Sequence, residues 1–422
     1  MPGDTVRPRR RTGAGIAVVL VLVLGAVLVT GRSDGDGGSG EGCPPRTVVS
    51  WAPEPRLTSA FVRYGDDDTR TDDWTGGDGT HSVRLPDGRL LWLFSDTFLG
   101  RVHRPPNPAG EAYAWRDGTA PLVRNSAVVT HGGRPVATLP APLFPDPAPG
   151  SWRWPVAARV EPRSPGASER VLRVLLWVRQ NGAPPWIYGE PLATEVATLS
   201  LPSLRLESVT TVLDQRHVGD LSRRVLFGTT LVEEDGRTYV FGGDDGRPAS
   251  RPASHAYVAR VPEGGLADPA AWEYWDGSGW RSRARPAPVL GDGRRTGVGS
   301  AFTVTRDDGT YVLFTMAAGA EGLATVTAYW ACSPAGPWHG PLGAFTPALP
   351  APGTAAYNPQ AHPALSRDGR LVLSHDVNWL ETSAAAAMLS RNVSLYRPRF
   401  VTVRLGPPRR PPGGGPWSGA WR

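Results

Sequence analysis

The sequence predicts an all-β fold, a five-bladed β-propeller preceded by an N-terminal transmembrane signal anchor. Three observations lead there. A hairpin recurs along the chain, its turn glycines are spaced like successive sheets, and Gly (51) and Pro (44) are abundant in 422 residues. The clearest hairpin is TGGDGTHSVRLPDGRLLWLFSDTFLG, residues 75–100. Thr80 to Leu85 reads as a strand, Pro86-Asp87-Gly88 as a turn and Arg89 to Phe94 as a second, wholly apolar strand. Pro presets φ for a turn, Gly supplies a positive φ where the chain reverses, and an apolar run of that length suits a strand covered on both faces. Copies follow at 226–245, 300–316 and 361–378.

The turn glycines are Gly88, Gly236, Gly309 and Gly369, with gaps of 148, 73 and 60 residues. The first gap is double the second, so a degenerate copy is expected near residue 162. WPVAARVEP (154–162) and VLRVLLWVRQN (171–181) supply it. Five units of 60–75 residues match radially repeated four-stranded sheets.

Unit one spans 74–150 and enters its third strand at Arg124-Asn125-Ser126. Unit two (151–222) has outer strands at Glu195 to Leu201 and Leu204 to Leu213. Unit three (223–295) contains SHAYVARVP and the Trp-rich edge WEYWDGSGW. Unit four (296–353) contains TVTAYWACS, and unit five (354–405) ends in RPRFVTVRL. Residues 44–60 add a closing strand or pack along the side. No helical periodicity is read outside the N-terminus.

At that N-terminus, Arg7, Arg9, Arg10 and Arg11 precede a 17-residue apolar run, Ala14 to Thr30. The run is near the lower limit for a bilayer span, the Arg cluster favours a cytoplasmic start, and no small-x-small cleavage site follows. Residues 1–32 therefore read as a cytoplasmic tail with an uncleaved anchor, 33–49 as a flexible linker, 50–405 as the propeller and 406–422 as a disordered tail. The domain is expected on the outer side of the membrane, or secreted if the signal is cleaved, and monomeric. All 45 basic residues are Arg, and the formal charge of +6 lies mostly at the two ends. A nearly neutral core argues against nucleic acid as a partner. Cys43 and Cys332, the only cysteines, either pair in an oxidising compartment or stay apart as thiols.

In a propeller, the starts of first strands and the ends of second strands converge on one rim. Asp78, Asp96 and Asp244 fall there. Glycoside hydrolysis needs such carboxylates, one to protonate the leaving oxygen and one to act as nucleophile or to activate water. The competing reading for each is a turn cap. Asp78, between Gly77 and Gly79, is the favoured catalytic acid. Arg124, Asn125, Gln180, Asn181, His375, Asp376 and Asn378 are candidate substrate contacts. Trp74 and Trp154 are candidate stacking platforms for sugar rings. His362 should face the channel, as a metal or water ligand or as a hydrogen-bonded core residue. The acidic run Asp66-Asp67-Asp68 lacks the alternation of a calcium loop. Phosphate loops, G-x-S-x-G elbows and HExxH motifs are absent, so nucleotide-binding, serine-hydrolase and zinc-protease classes have no support.

The stretches WTGGDGTHSVRLPDGRLLWLFSDTFLG, RNSAVV and YNPQAHPALSRDGRLVLSHDVN resemble a family of secreted actinobacterial-type proteins of unknown function with five-bladed propellers. That family is similar to the arabinanase and furanosidase superfamily of glycoside hydrolases. The resemblance covers about residues 50–405. It implies an extracytoplasmic enzyme acting on arabinan-like polysaccharide, with Asp78 as the first-blade catalytic Asp and His362 as the channel His near a bound calcium. Unit two departs from the pattern, with Trp154-Pro155-Val156 where relatives often carry an acid, and unit three offers Thr229-Thr230 and no Glu at the strand entrance, since Glu233 and Glu234 are too close to the turn to reach the rim. The rival expectation is a non-catalytic carbohydrate-binding or adhesion propeller.

Overall fold

The computed structural model describes residues 42–408 except 72, 185, 187, 245–253, 293–295, 317–324 and 380. Five antiparallel sheets follow one another along the chain. Sheet one is built from His81–Arg84, Leu90–Phe94, Ser126–His131 and Arg134–Thr138. Sheet two contains Ser151–Pro162, Arg170–Gln180, Glu190–Leu199 and Leu206–Asp214. Sheet three comprises Val225–Glu234, Arg237–Asp244 and Ala256–Pro262, edged by Glu273–Trp275 and Trp280–Ser282. Sheet four holds Phe302–Asp307, Thr310–Met316, Val326–Ala331 and His339–Phe345. In sheet five, Thr354–Ala361, Arg370–Trp379 and Arg399–Gly406 are joined at the outer edge by Thr47–Pro53 from the far end of the chain.

The first strands of consecutive sheets pack against one another. Apolar clusters fill the gaps between sheets. Leu91, Leu93 and Ala127 of sheet one meet Leu172, Val174 and Leu176 of sheet two. Trp177 and Val196 meet Phe227 and Val240 in the next gap. Phe241 and Val258 then meet Phe302 and Leu313, and Val312 and Phe314 meet Leu373 and Val403. A fifth cluster joins Val372 and Phe400 of sheet five to Trp92, Phe94 and Val128 of sheet one. Second strands are apolar on both faces because each face meets a different cluster. The turns explain the repeat: Asp235-Gly236, Asp308-Gly309 and Asp368-Gly369 all have positive φ at both residues. That is the two-residue turn whose twist matches the strands it joins.

Three expectations are corrected. Pro55–Gly65 is an α-helix (α1), started by Pro55 and capped by Glu54 Oε2, which accepts from Leu57 N at 2.6 Å. A second helix, α2, spans Thr382–Arg391. The folded region also begins before residue 50: Thr47–Pro53 is a strand, and Cys43 and Cys332 are bonded with Cα atoms 5.3 Å apart. Pro44 O accepts from Thr310 Oγ1 at 2.7 Å, and Arg46 Nε lies 2.9 Å from Asp307. The arm is thereby fixed beside the Asp308-Gly309 turn. The apolar run 14–30 and nearly all of the C-terminal tail lie outside the described residues. Among the described residues no helix is long and apolar enough to cross a membrane.

Candidate active site

Thr97–Leu99 pairs with Trp74–Gly77 on one side and Leu122–Val123 on the other in a small separate sheet. The first hairpin therefore continues past sheet one, with a break at Asp78–Thr80 and Ser95–Asp96. Two backbone bonds bridge the break: Asp78 N donates to Asp96 O at 3.2 Å, and Ser95 N donates to Asp78 O at 2.7 Å. The glycines around Asp78 are dictated by crowding. A Cβ on Gly76 would lie 2.4 Å from Tyr396 O, and one on Gly79 (φ +65°) would lie 2.5 Å from Ser95 Oγ. Close approach of this kind, with a left-handed φ, leaves glycine as the residue that fits.

Three carboxylates meet here. Asp78 Oδ2 accepts from Tyr357 Oη at 2.8 Å, and the Tyr396 hydroxyl bonds the same carboxylate. Asp96 accepts from Arg124 Nη1 at 3.0 Å and from Trp154 Nε1 at 2.8 Å. Asp376, 1% exposed, accepts from Gly79 N and Thr80 Oγ1, each at 2.7 Å, and from Asn358 Nδ2 at 3.3 Å. Loss of solvation, followed by the charges of Asp96 and Asp376, raises the Asp78 pKa well above the carboxylate range. Burial also raises Asp96, opposed by Arg124 and Trp154. Burial pushes Asp376 up to about 6 against its donors. The three differ in who answers their charge. Asp96 has a guanidinium and an indole N–H, Asp376 has a ring of fixed donors, and Asp78 has two phenols. Burial and the neighbouring charge of Asp78 hold both phenols well above their usual pKa, so they remain neutral donors. Like charges so close cannot all ionise, and the one with the weakest support retains the proton. That one is Asp78.

A cleft of about 260 Å³ opens beside Asp96, lined also by Arg124, Trp152, Trp154, Asn181 and Tyr188. The Arg124 guanidinium lies 4.5 Å over the Trp152 ring, which holds both the cation and the wall in place. Asn181 is shared with a second depression that includes Gln180. Aromatic faces beside planar polar groups are the surfaces on which sugar rings stack.

Several sequence candidates lie elsewhere or act differently. Trp74 is fully buried against Phe61 of α1 and Phe94 and is a core residue, because α1 covers the face expected to be open. Asn125 is fully buried; it accepts from Phe144 N and donates to Phe144 O and Arg153 O, a backbone staple with no free edge for a substrate. Asp376 is enclosed and acts on the Asp78 loop. His375 is 3% exposed and therefore is not a rim contact; burial pushes it down to about 3. Asn378 is half-buried and accepts from Trp379 N. Gln180 donates to Glu190 at 2.8 Å. Asp244, 1% exposed, is held within sheet three by His255 N, His255 Nδ1 and Tyr257 Oη, each at 3.0 Å.

His362 is fully buried, with Nδ1 2.8 Å from Ser82 Oγ and Nε2 2.8 Å from Ser374 Oγ. Burial lowers its pKa to about 3. A calcium ion takes several oxygen ligands, usually with carboxylates among them. An imidazole bonded at both nitrogens by neutral hydroxyls does not fit that requirement, and among the described residues no group of three or more His, Cys, Asp or Glu is arranged to hold a metal. The sequence reading missed Tyr357 and Tyr396. Tyr357 sits just before a bulge at Asn358 (φ +49°), and that Tyr-Asn-Pro step was the signal available.

Comparison with solved structures finds a candidate hydrolase of Bacteroides ovatus at a TM-score of 0.62 and 19% identity, covering 84% of this chain and 90% of that one. The two share a fold. More distant are the catalytic domain of a GH62 α-L-arabinofuranosidase of Coprinopsis cinerea and an α-L-arabinofuranosidase of Podospora anserina solved with cellotriose. The first gives a TM-score of 0.45 at 14% identity, covering 80% and 92% of the two chains. The second gives 0.45 at 12%, covering 80% and 98%. No curated protein matches. A family profile described only as a domain of unknown function matches residues 62–406, most of the described fold, and the chain belongs to that family, DUF5005.

Proposed function

We propose that the five sheets close into a five-bladed β-propeller and that the protein is an extracytoplasmic glycoside hydrolase acting on a polysaccharide, with arabinan-like furanosides favoured. Packing of sheet five on sheet one supports the closure. The observation that carries the activity is the unequal support of Asp78 and Asp96, together with the Trp- and Tyr-walled cleft that Asp96 lines. Protonated Asp78 would give its proton to the glycosidic oxygen as the bond to the anomeric carbon breaks. Asp96, paired with Arg124, would supply the second carboxylate, as nucleophile or as base toward water. Sets of carboxylates whose surroundings push their pKa values apart are how such sites divide acid from base.

The test is release of reducing ends by the purified domain from arabinan, galactan, fructan and mannan, with Asp78→Asn as control. Release from one polymer, lost in the variant, supports the reading. Binding without release from any of them favours the carbohydrate-binding alternative, which the open aromatic cleft would serve equally well. Location is tested separately: protease added to intact cells should free the domain by cutting within 33–42, and a protected domain would contradict an outer position.

A further inference from the structure

Behind the carboxylates, where the small sheet meets α1, two arginines are buried side by side. Arg116 and Arg397 are each 2% exposed. Both donate to one acceptor, Thr75 O, from Arg116 Nη2 at 3.3 Å and from Arg397 Nε at 2.8 Å. The charge of Arg397 is answered by Asp66 Oδ1 at 2.9 Å and by Val62 O at 3.3 Å, in the last turn of α1. The charge of Arg116 has no such answer. Among the described residues no carboxylate pairs with it, and its guanidinium lies 4.3 Å over the Phe98 ring. Its Nε and Nη1, with Arg397 Nη2, are buried donors with no partner. Burial, then the charge of Arg397, pushes Arg116 down to about 9. A guanidinium at that value is still charged at neutral pH.

An uncompensated buried charge is costly, and buried cations are paired as a rule. Three unpartnered N–H groups from two guanidinium groups that share one acceptor need an acceptor that is itself negative. The surroundings are close: the Phe98 ring lies 4.3 Å from the Arg116 guanidinium, and a Cβ on Gly76 would lie 3.2 Å from its Nη2. Walls that close favour a small anion over a polyatomic one.

We propose that Arg116 and Arg397 bind a buried halide, chloride in the cell. The ion would accept from an unpartnered N–H of each guanidinium, Arg116 Nη1 and Arg397 Nη2, and it would lie behind Tyr396, which bonds Asp78. The site therefore braces the back of the carboxylate cluster, and it stands whether or not that cluster hydrolyses a glycoside.

The test uses the whole folded domain. Melting temperature is measured in sodium gluconate with chloride or bromide substituted at constant ionic strength, and crystals grown in bromide are examined for anomalous scattering. A saturable rise of about 2 °C or more at a hundred times the dissociation constant is expected, since a ligand that binds only the folded state stabilises it by mass action. A bromide peak between Arg116 and Arg397 is expected with it. Arg116→Met should lose the halide response. A response that survives in folded Arg116→Met, or bromide crystals with no peak at this position, overturns the proposal. If Arg116→Met does not fold, the peak in the unmodified protein decides.

Discussion

Asp96 and Asp244 leave the ends of corresponding strands, the second of sheet one and the second of sheet three, yet they are built into different surroundings. Asp96 retains 22% of its side-chain surface and shares it with a cleft. Asp244 is 1% exposed and gripped by an imidazole N–H, a phenol and a backbone N–H. Position in a repeat identifies where a carboxylate can sit. The next stretch of chain decides what that carboxylate does. After Asp96 the chain forms the small sheet and carries in Arg124, whereas His255 and Tyr257 return on the neighbouring strand to enclose Asp244.

The largest test of that contrast is substitution by Asn. Asp78→Asn and Asp96→Asn should each lower turnover at least about a hundredfold, the ordinary scale of acid–base participation. Asp78→Asn should melt at or above the parent temperature at pH 7, because it removes a carboxyl that must take up a proton for the chain to fold. Loss of melting temperature with surviving activity would make Asp78 a turn cap. Asp244→Asn should instead cost about 1.5–3 kcal/mol of stability, the usual scale for a bond to a charged group, with turnover retained; a folded Asp244→Asn without turnover would break the comparison. Trp154→Phe keeps the ring and deletes the N–H bonded to Asp96, a loss of about 1 kcal/mol or roughly fivefold in kcat/KM. An unchanged value would mean that Arg124 alone orients Asp96.

The smallest effect is a slope with pH. His375 is held neutral, its pKa lowered from 6.5 to about 3. Below 6.5 the unfolded chain takes up a proton that the folded protein refuses, so stability is lost as pH falls from 6.5 toward 3. His375→Asn should make the fall in melting temperature between pH 6.5 and 4 shallower than in the parent. An identical slope would show that His375 is protonated in the folded protein.

The hairpins were legible in the sequence because both ends of the signal are local. An Asp-Gly step needs its φ within two residues, and an apolar strand shows its burial along its own length. Even the degenerate second unit could be placed from its neighbours, its strands meeting across the loop 163–169. Helix α1 was missed although Leu57, Ala60, Phe61 and Tyr64 are spaced for one helical face behind Glu54-Pro55. Eleven residues among strands gave the pattern little weight, and that omission is why Trp74 was expected at a surface. The acidic cluster was half legible. Asp78 and Asp96 belong to one hairpin, but Asp376 and Tyr357 arrive from the last sheet and Tyr396 from the connection before its final strand, about 280 to 320 residues away in sequence. Only the meeting of sheet five with sheet one brings them there.

The bond between Cys43 and Cys332 spans 289 positions, and this makes most of the domain a covalent ring. Sheets one to three, the cleft and both carboxylates of the first hairpin, Asp78 and Asp96, lie inside it. A protease that cuts a loop anywhere between residues 43 and 332 therefore opens the ring without releasing a fragment. Such a clipped protein would run as one species until a reductant is added and as two afterwards. A cut after residue 332 has no such protection, so the segment beyond it, which carries Tyr357, Asp376 and Tyr396, stays in place by non-covalent contacts alone.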